Sequence, residues 1–400
     1  MTAHPFIKWA GGKTQLLPQI QKYYPHRIKK YCEPFVGGGA VLFDVLQKCH
    51  PEEILINDIN AELINTYLQI KNNCEALIEK LSELQQKYKV STMEEKKTFF
   101  LENRKRFNEL KLHFSTTENK NENLEKAALF IFLNKTCFNG LYRVNKKGEF
   151  NVPFNNAKNP LICDREDLKL CSKLLQNVQM TVGDYSFCRT FIDEQTFVYF
   201  DPPYRPLTQT AAFTSYSENN FGDKEQIELG KFVKKISEKG AKILLSNSDP
   251  KNTEPGDNFF DDLYSDFTIE RISANRMINS NAKKRGAVSE LLIKNLKNPD
   301  YIPIAKFLDE SLQKYGKIIH KFPISNVKFD KSRLSYQNQV LDSTVNNIVH
   351  NFYSEGWEPI VLDTENYLRD GQHRLAAARI MGLKYIDVII YNVYLNGEDK

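Results

Sequence analysis

Long apolar runs are missing from this chain of 400 residues. No stretch approaches eighteen consecutive apolar residues, so a membrane-spanning helix is not expected. The opening MTAHPFIKWAGGK carries glycine and charge where a secretory signal needs an apolar run. Cysteine is sparse and odd in number, seven residues ending at Cys188, with no C-x-x-C and no zinc-finger spacing. A disulfide framework and a bound metal are therefore not expected; a reducing, cytoplasmic setting is. An excess of one charge is also missing: 55 Lys plus Arg against 50 Asp plus Glu leave net +5, which permits a nucleic-acid partner without demanding one. With 41% hydrophobic and 26% charged residues the composition is globular and excludes wholesale disorder or collagen. At this length two or three domains are expected.

What is present reads as α/β grammar. Residues 31–43, YCEPFVGGGAVLF, form a short strand that breaks into a glycine turn and continues as a helix. A second apolar strand, ILINDIN (54–60), ends in polar residues. This order predicts the opening of a doubly wound, Rossmann-like fold. From Glu62 to about Phe130 the pattern is helical, with a basic cluster Arg104-Lys105-Arg106 that reads as a solvated helix face. Residues 133–160 mix Gly, Asn and Pro with aromatic and basic residues and predict hairpins or long loops. Strand patterns return at 196–200, TFVYF, and in AKILLSNSD and SELLIKN. Between the first two, a helix from about Asp223 is expected to bury Ile227, Phe232, Val233 and Ile236, with Asp223 and Gln226 forming a capping box and Gly240 closing it.

Two constellations carry chemistry. Gly37, Gly38 and Gly39 permit a tight turn and close backbone approach to a ligand. The spacing is not G-x-G-x-x-G and no Gly-Lys-Ser/Thr follows, so neither the dinucleotide fingerprint nor the P-loop is met. Asp58, about twenty residues on at a strand end, can hold two ribose hydroxyls, or serve an ordinary turn and helix cap. Asp201-Pro202-Pro203-Tyr204 is sharper. Two prolines stiffen the chain just past a buried strand and fix a carboxylate beside the Pro202 carbonyl. Together these acceptors can orient an exocyclic NH2 by its two hydrogens, while Tyr204 offers a stacking surface for a base. Such a site suits methyl transfer to a nucleobase amine.

With FIKWAGGK (6–13), EPFVGGGAVLF (33–43), INDIN (56–60), CFNGLYRVN (137–145), GEFNVPF (148–154), VGDY (182–185), VYFDPPYRPL (198–207), FTSY (213–216) and SNSD (246–249) in this order, and a basic segment NSNAKKRGAVSELLI (279–293), residues 1–296 resemble the Dam-type (D12 class) DNA adenine-N6 methyltransferases of restriction–modification systems. The resemblance implies S-adenosylmethionine as cofactor, double-stranded DNA as partner, GATC as target, and a cognate endonuclease as functional counterpart. It implies cofactor contacts for Trp9, Lys13, Asp58, Asp184 and Asp201, with Gly37 and Gly39 shaping the turn. It also implies DNA readers: Lys8 and Arg143 for guanines, Leu141 and Pro153 for the thymine methyl. Where relatives carry GRYKNP, this chain has Asn155-Asn156-Ala157-Lys158-Asn159-Pro160, which removes an arginine and leaves Lys158 to touch phosphate.

The remainder departs from that pattern. Residues 322–391, with EPIVLD, Asp370-Gly371-Gln372-His373-Arg374 and YIDVIIY, resemble the ParB/sulfiredoxin-like fold. That likeness implies a nucleotide or phosphate site at Gly371, His373 and Arg374, on a helix start with an adjacent guanidinium. Gln372 stands where sulfiredoxin needs cysteine, which excludes thiol redox chemistry. The expected organisation is a catalytic domain in 1–61 and 161–296, an inserted, mainly helical target-recognition region in 62–160, a linker in 297–321 and a small α+β domain in 322–400.

Overall fold

A computed structural model of the chain describes residues 2–25, 27–112, 120–205, 221–275, 287–295, 301–304, 306–335, 339–350 and 357–391. FTSY (213–216), residues 279–286 of the basic segment and residues 297–300 of the expected linker lie outside them. The chain divides into two compact units, Met1–Pro18 with Arg27–Asn295, and Gln19–His26 with Leu296–Lys400.

In the first unit β1 (Lys30–Glu33), β2 (Glu53–Asp58), β3 (Val178–Val182), β4 (Thr196–Phe200), β5 (Lys242–Ser248), β6 (Thr268–Asn275) and β7 (Ala287–Lys294) form one sheet in the order β3-β2-β1-β4-β5-β7-β6. The first five are parallel; β7 runs antiparallel between β5 and β6. The β4 sequence TFVYF is buried at every residue, as expected of a central parallel strand. One sheet face, carrying Cys32, Val198, Phe200, Ile243, Leu245, Leu291 and Ile293, packs on Leu229, Phe232, Val233 and Ile236 of α7 (Asp223–Glu238) and on Phe260 of α8 (Phe259–Leu263). Near β2 and β3, α1 (Ala40–Lys48), α2 (Ala61–Asn72) and α6 (Arg165–Leu175) pack on one another.

Three details differ from expectation. Ile227 is 38% exposed; the inward position is taken by Gln226, fully buried. The cap of α7 is Gly222, whose N–H donates to Glu225 Oε2 at 2.9 Å, so Gln226 is not a capping residue. Strand β6, TIERISAN, which no strand pattern in the sequence marked, lacks a clean apolar alternation and sits at the sheet edge.

Between β2 and β3 the chain inserts α3 (Cys74–Val90), α4 (Met93–Glu109) and α5 (Lys120–Thr136). From Ala127 to Leu133 every α5 residue is buried, which makes it the central helix of this layer. Thr92 and Glu95 cap α4 reciprocally, with 2.7 Å from the Thr92 N–H to the Glu95 carboxylate. The basic cluster is a partnered helix face. Arg106 pairs with Glu125 at 2.7 and 2.8 Å, Lys105 lies 3.8 Å from Glu109, and Arg104 donates to the Val152 carbonyl at 3.3 Å. The expected loop at 133–160 begins as the last turn of α5 and then forms a small hairpin, with bridges Cys137–Phe154 and Val144–Phe150.

The second unit is α+β. Its sheet has the order β10 (Leu368–Asp370), β9 (Ile360–Leu362), β11 (Tyr385–Tyr391), β8 (Gly316–Pro323). Helices α9 (Lys306–Leu312), α10 (Asp342–His350) and α11 (Gln372–Ile380) accompany it. Trp357, Ile360, Leu362, Leu375, Ala378, Ile386 and Val388 form its core.

Candidate active site

The chain leaves β1 toward β2 and β3 on one side and returns to β4 on the other. The crevice beyond the carboxyl ends of β1 and β4 is therefore the switch point where doubly wound sheets bind ligands. Both sequence constellations open onto it.

After β1 the chain turns at glycines. The Gly37 N–H donates to Asp58 Oδ2 at 3.0 Å, the Asn60 N–H to Oδ1 at 2.9 Å, and the Tyr67 hydroxyl to the Gly37 carbonyl at 3.0 Å. Gly37 and Gly39 have φ of +48° and +74°, and a Cβ on Gly37 would stand 2.7 Å from Trp9 Cδ1. Glycine is thus required by backbone and by close approach alike. Burial raises the Asp58 pKa, and the backbone donors of Asn60 and Gly37 oppose it. Each Asp58 oxygen retains a lone pair for a further donor. The neighbouring strand end carries Asp184, exposed, which caps a short turn by accepting from the Ser186 N–H at 2.9 Å. The Gly183 N–H donates to the Asp58 carbonyl at 3.0 Å, so Trp9, Gly37, Gly39, Asp58 and Asp184 line adjacent strand ends.

After β4, Asp201-Pro202-Pro203-Tyr204 is fixed from three directions. Lys13, 3% exposed, places Nζ 2.7 Å from one Asp201 oxygen and 2.8 Å from the other, and also donates to the Gly11 carbonyl at 2.6 Å. Gln226 Nε2 donates to the Pro203 carbonyl at 2.9 Å while its Oε1 accepts from Asn247 Nδ2 at 3.2 Å. The Tyr204 hydroxyl donates to Glu290 Oε2 at 2.7 Å. Just beyond, Arg205 ties Asp223 and Asp257, each at 2.6 Å. Burial raises the Asp201 pKa, and the Lys13 ammonium opposes that rise. Burial, together with the Asp201 and Glu290 charges, pushes the Tyr204 phenol well above its usual range, so it stays a donor. Beneath these lies Glu33, buried, accepting from the Tyr31 hydroxyl at 2.7 Å; burial drives its pKa well up, helped by the Asp201 and Asp58 charges.

Of the residues expected to read DNA, Lys8 and the turn before Leu141 are joined by Asn134 of α5, a residue that the motifs do not include. Its Oδ1 accepts from the Lys8 N–H at 2.9 Å, and its Nδ2 donates to the Lys8 and Gly140 carbonyls, both at 2.8 Å. Lys8 therefore lies against the turn that leads to Leu141 and Arg143. A Cβ on Gly140 would meet Lys8 Cβ at 2.6 Å. Arg143, exposed, donates through Nε to Asn151 Oδ1 at 2.8 Å. Pro153, exposed, accepts from the Phe138 N–H at 2.8 Å. Lys158 is exposed, and its carbonyl accepts from buried Lys96 at 2.9 Å.

In the second unit Gly371, at φ +93°, precedes α11. Arg374 pairs with Glu358 at 2.8 Å and Asp370 at 3.3 Å, and His373 Nε2 accepts from the Leu341 N–H at 3.1 Å. The turn is preformed, with its guanidinium held by carboxylates.

Among the described residues no group of three or more His, Cys, Asp or Glu side chains could hold a metal ion. No helix among them is long and apolar enough to cross a membrane.

The strand order, the glycine turn with its trailing aspartate and the Asp-Pro-Pro-Tyr junction define a Rossmann-like methyltransferase with an inserted helical region and a separate small α+β domain. A family model described as D12 class N6 adenine-specific DNA methyltransferase matches residues 9–278, and the chain belongs to that family. It is similar to the type II methyltransferase M.MjaIII of Methanocaldococcus jannaschii, 48% identical across 74% of this chain and all of the relative. Type II methyltransferase M1.LlaDCHI of Lactococcus lactis subsp. cremoris is 38% identical over 74% of this chain and 96% of its own. The DNA adenine methylase of Escherichia coli K12 is 32% identical over 72% and 93% respectively. The protein is accordingly a site-specific DNA adenine-N6 methyltransferase that uses S-adenosylmethionine as methyl donor.

Proposed function

We propose that Asp201, Pro202, Pro203 and Tyr204 are the catalytic groups and that the target is the adenine of GATC, whose methylation protects cytoplasmic DNA from a cognate endonuclease. The carrying observation is the junction after β4, held by Lys13, Gln226 and Glu290 so that its backbone and ring are preorganised. With Gln226 bound to the Pro203 carbonyl, the adjacent Pro202 carbonyl is the backbone acceptor offered to the amine. Asp201 and this carbonyl accept its two hydrogens. That draws the nitrogen lone pair out of ring conjugation, and Tyr204 stacks on the base once it is flipped from the duplex.

The donor set suits S-adenosylmethionine: Trp9 over the glycine turn, and Asp58 and Asp184 on adjacent strand ends to take ribose hydroxyls and the adenine amine. When bound, the cofactor supplies a methyl group already activated on a sulfonium. Lys13 then acts through Asp201, keeping it ionised as an acceptor.

Lys8 and Arg143 would read guanines, Leu141 and Pro153 the thymine methyl, and Lys158 a phosphate. The Asn134 clamp supports this by joining Lys8 to the Gly140 turn. We assign residues 62–160 to target recognition and 1–61 with 161–296 to catalysis; the segment expected as a linker, 297–321, instead contributes α9, most of β8 and the core residues Ile302 and Ile304 to the second unit. Residues 322–400 are assigned to a ParB-like domain in which Gly371, His373 and Arg374 take a phosphate by exchanging Glu358 and Asp370 for it.

Mapping methylated adenines in cells expressing the chain tests the target: modification mainly outside GATC rejects it. Asp201→Ala, folded but retaining more than about a tenth of wild-type turnover, would reject the catalytic assignment, since a preorganised polar contact is worth ~3 kcal/mol.

A further inference from the structure

Tyr204 is a platform only if its ring stays in place, and nothing local secures this. The two prolines stiffen the backbone before it, yet leave rotation about its side-chain bonds. The structure secures the ring from two sides. Lys13 Nζ, already bound to Asp201, stands 4.8 Å from the ring centroid, covering one face. At the far end of the ring the hydroxyl donates to Glu290 Oε2 at 2.7 Å.

Glu290 reaches this position because β7 runs antiparallel beside β5, with Glu290 opposite Ser248 at the end of β5 that borders the switch-point crevice. The next β7 residues, Leu291 and Ile293, bury on the opposite face against the α7 layer, so the strand's pleat sends Glu290 the other way. Tyr199 and Ser246, joined at 2.7 Å, continue that face toward Asp201.

We propose that Glu290 is the positioning residue of the target-base pocket: it acts through the Tyr204 hydroxyl, fixing the ring at the angle on which the flipped adenine stacks. The proposal rests on Tyr204 being the stacking surface. A charged acceptor holds the phenol at a single site, and the ring face opposite Lys13 is presented to the base. Without the acceptor the ring rotates, and the amine is no longer carried to Asp201 and the Pro202 carbonyl in one orientation.

The test is a double-mutant cycle on the full chain with Glu290→Leu, Glu290→Gln and Tyr204→Phe. Its readouts are single-turnover methylation and the fluorescence of 2-aminopurine at the target position. Glu290→Leu and Tyr204→Phe should each lower the methylation rate constant about tenfold, the scale of one hydrogen bond to a charged group. The double variant should fall no further. KM for S-adenosylmethionine should stay unchanged, and 2-aminopurine should remain less quenched in both single variants. Glu290→Gln retains an acceptor oxygen and should stay within about threefold of wild type, which also shows that the site still folds.

Undiminished loss from Glu290→Leu in the Tyr204→Phe background would overturn the proposal, because Glu290 would then act elsewhere. Glu290→Gln as impaired as Glu290→Leu would overturn it too, assigning the effect to charge. Failure of the stacking reading is separable: Tyr204→Ala would then leave both rate and fluorescence unchanged.

Discussion

Replacing Lys13 by methionine isolates what the buried cation does for Asp201. Methionine roughly fills the same volume and leaves the carboxylate without its partner. The ammonium sits 2.7 Å from the nearer carboxylate oxygen, so at an effective dielectric of about 20 the gross attraction is about 6 kcal/mol. Breaking a fully buried pair by removing one member typically costs ~3–5 kcal/mol net, and with the Asp201 side chain 21% exposed the cost here lies toward the lower end. Protonation relieves part of that cost. Asp201 already has a folded pKa above the ordinary aspartate value, with burial raising it and Lys13 opposing. Removing Lys13 removes the opposition, so the pKa rises further. The proposed chemistry needs the ionised acceptor; on that reading the acid limb of the rate profile should move to higher pH. The stability effect has a matching sign. For a group whose folded pKa is raised, stability is fully present below the unfolded pKa and is lost as pH rises through the folded one. Lys13→Met should therefore be most destabilised at neutral pH and recover toward wild type on acidification. Single-turnover methylation and melting temperature, each measured against pH, test both statements. An acid limb at the wild-type position, with uniform destabilisation at all pH, would show that Lys13 does not control the ionisation of Asp201.

Four further outcomes are expected. Asp58→Ala should weaken S-adenosylmethionine binding about ten- to a hundredfold by calorimetry, and lower the melting temperature, because the Gly37 and Asn60 N–H groups lose their acceptor. Gly37→Ala should abolish cofactor binding and destabilise the first unit by roughly 1–3 kcal/mol, since left-handed backbone and the Trp9 ring both oppose a Cβ; normal binding would refute the close approach. Arg143→Ala should reduce discrimination at one guanine by ~1–3 kcal/mol, whereas a loss equal for all sequences would make it a phosphate contact. Asp387→Leu should unfold the second unit at lower temperature, because Asp387 is fully buried and accepts from Tyr301 Oη, the Ile304 N–H and the Lys321 N–H. Each orphaned donor costs ~1–3 kcal/mol, and an unchanged second transition in calorimetry would contradict this.

Sequence and structure agree where the signal is local. A strand stopped by glycines or prolines has few backbone solutions, so the turn at 37–39 and the junction at 201–204 were legible one residue at a time, as was the aspartate closing β2. The supports were not legible, because each joins segments far apart in the chain. Gln226 shows why. The α7 positions buried at helical spacing are 226, 229, 230, 233 and 236, and an amide occupies the first. A rule that seeks apolar residues selects its neighbour Ile227 instead and leaves the polar one for a cap. The informative sign was the reverse: an uncharged polar residue on an otherwise apolar stripe, whose burial demands a partner. Here that partner is the Pro203 carbonyl. The same reasoning covers Asn134, a polar residue at the end of the fully buried stretch of α5, which clamps Lys8 to Gly140. It covers Glu290 as well, a carboxylate followed directly by buried Leu291 and Leu292 that accepts from the Tyr204 hydroxyl. In each case a polar group out of place in its own element is in place for another. The residues proposed to touch ligand can thus be read from short motifs, whereas the side chains that hold them show as local violations of burial pattern.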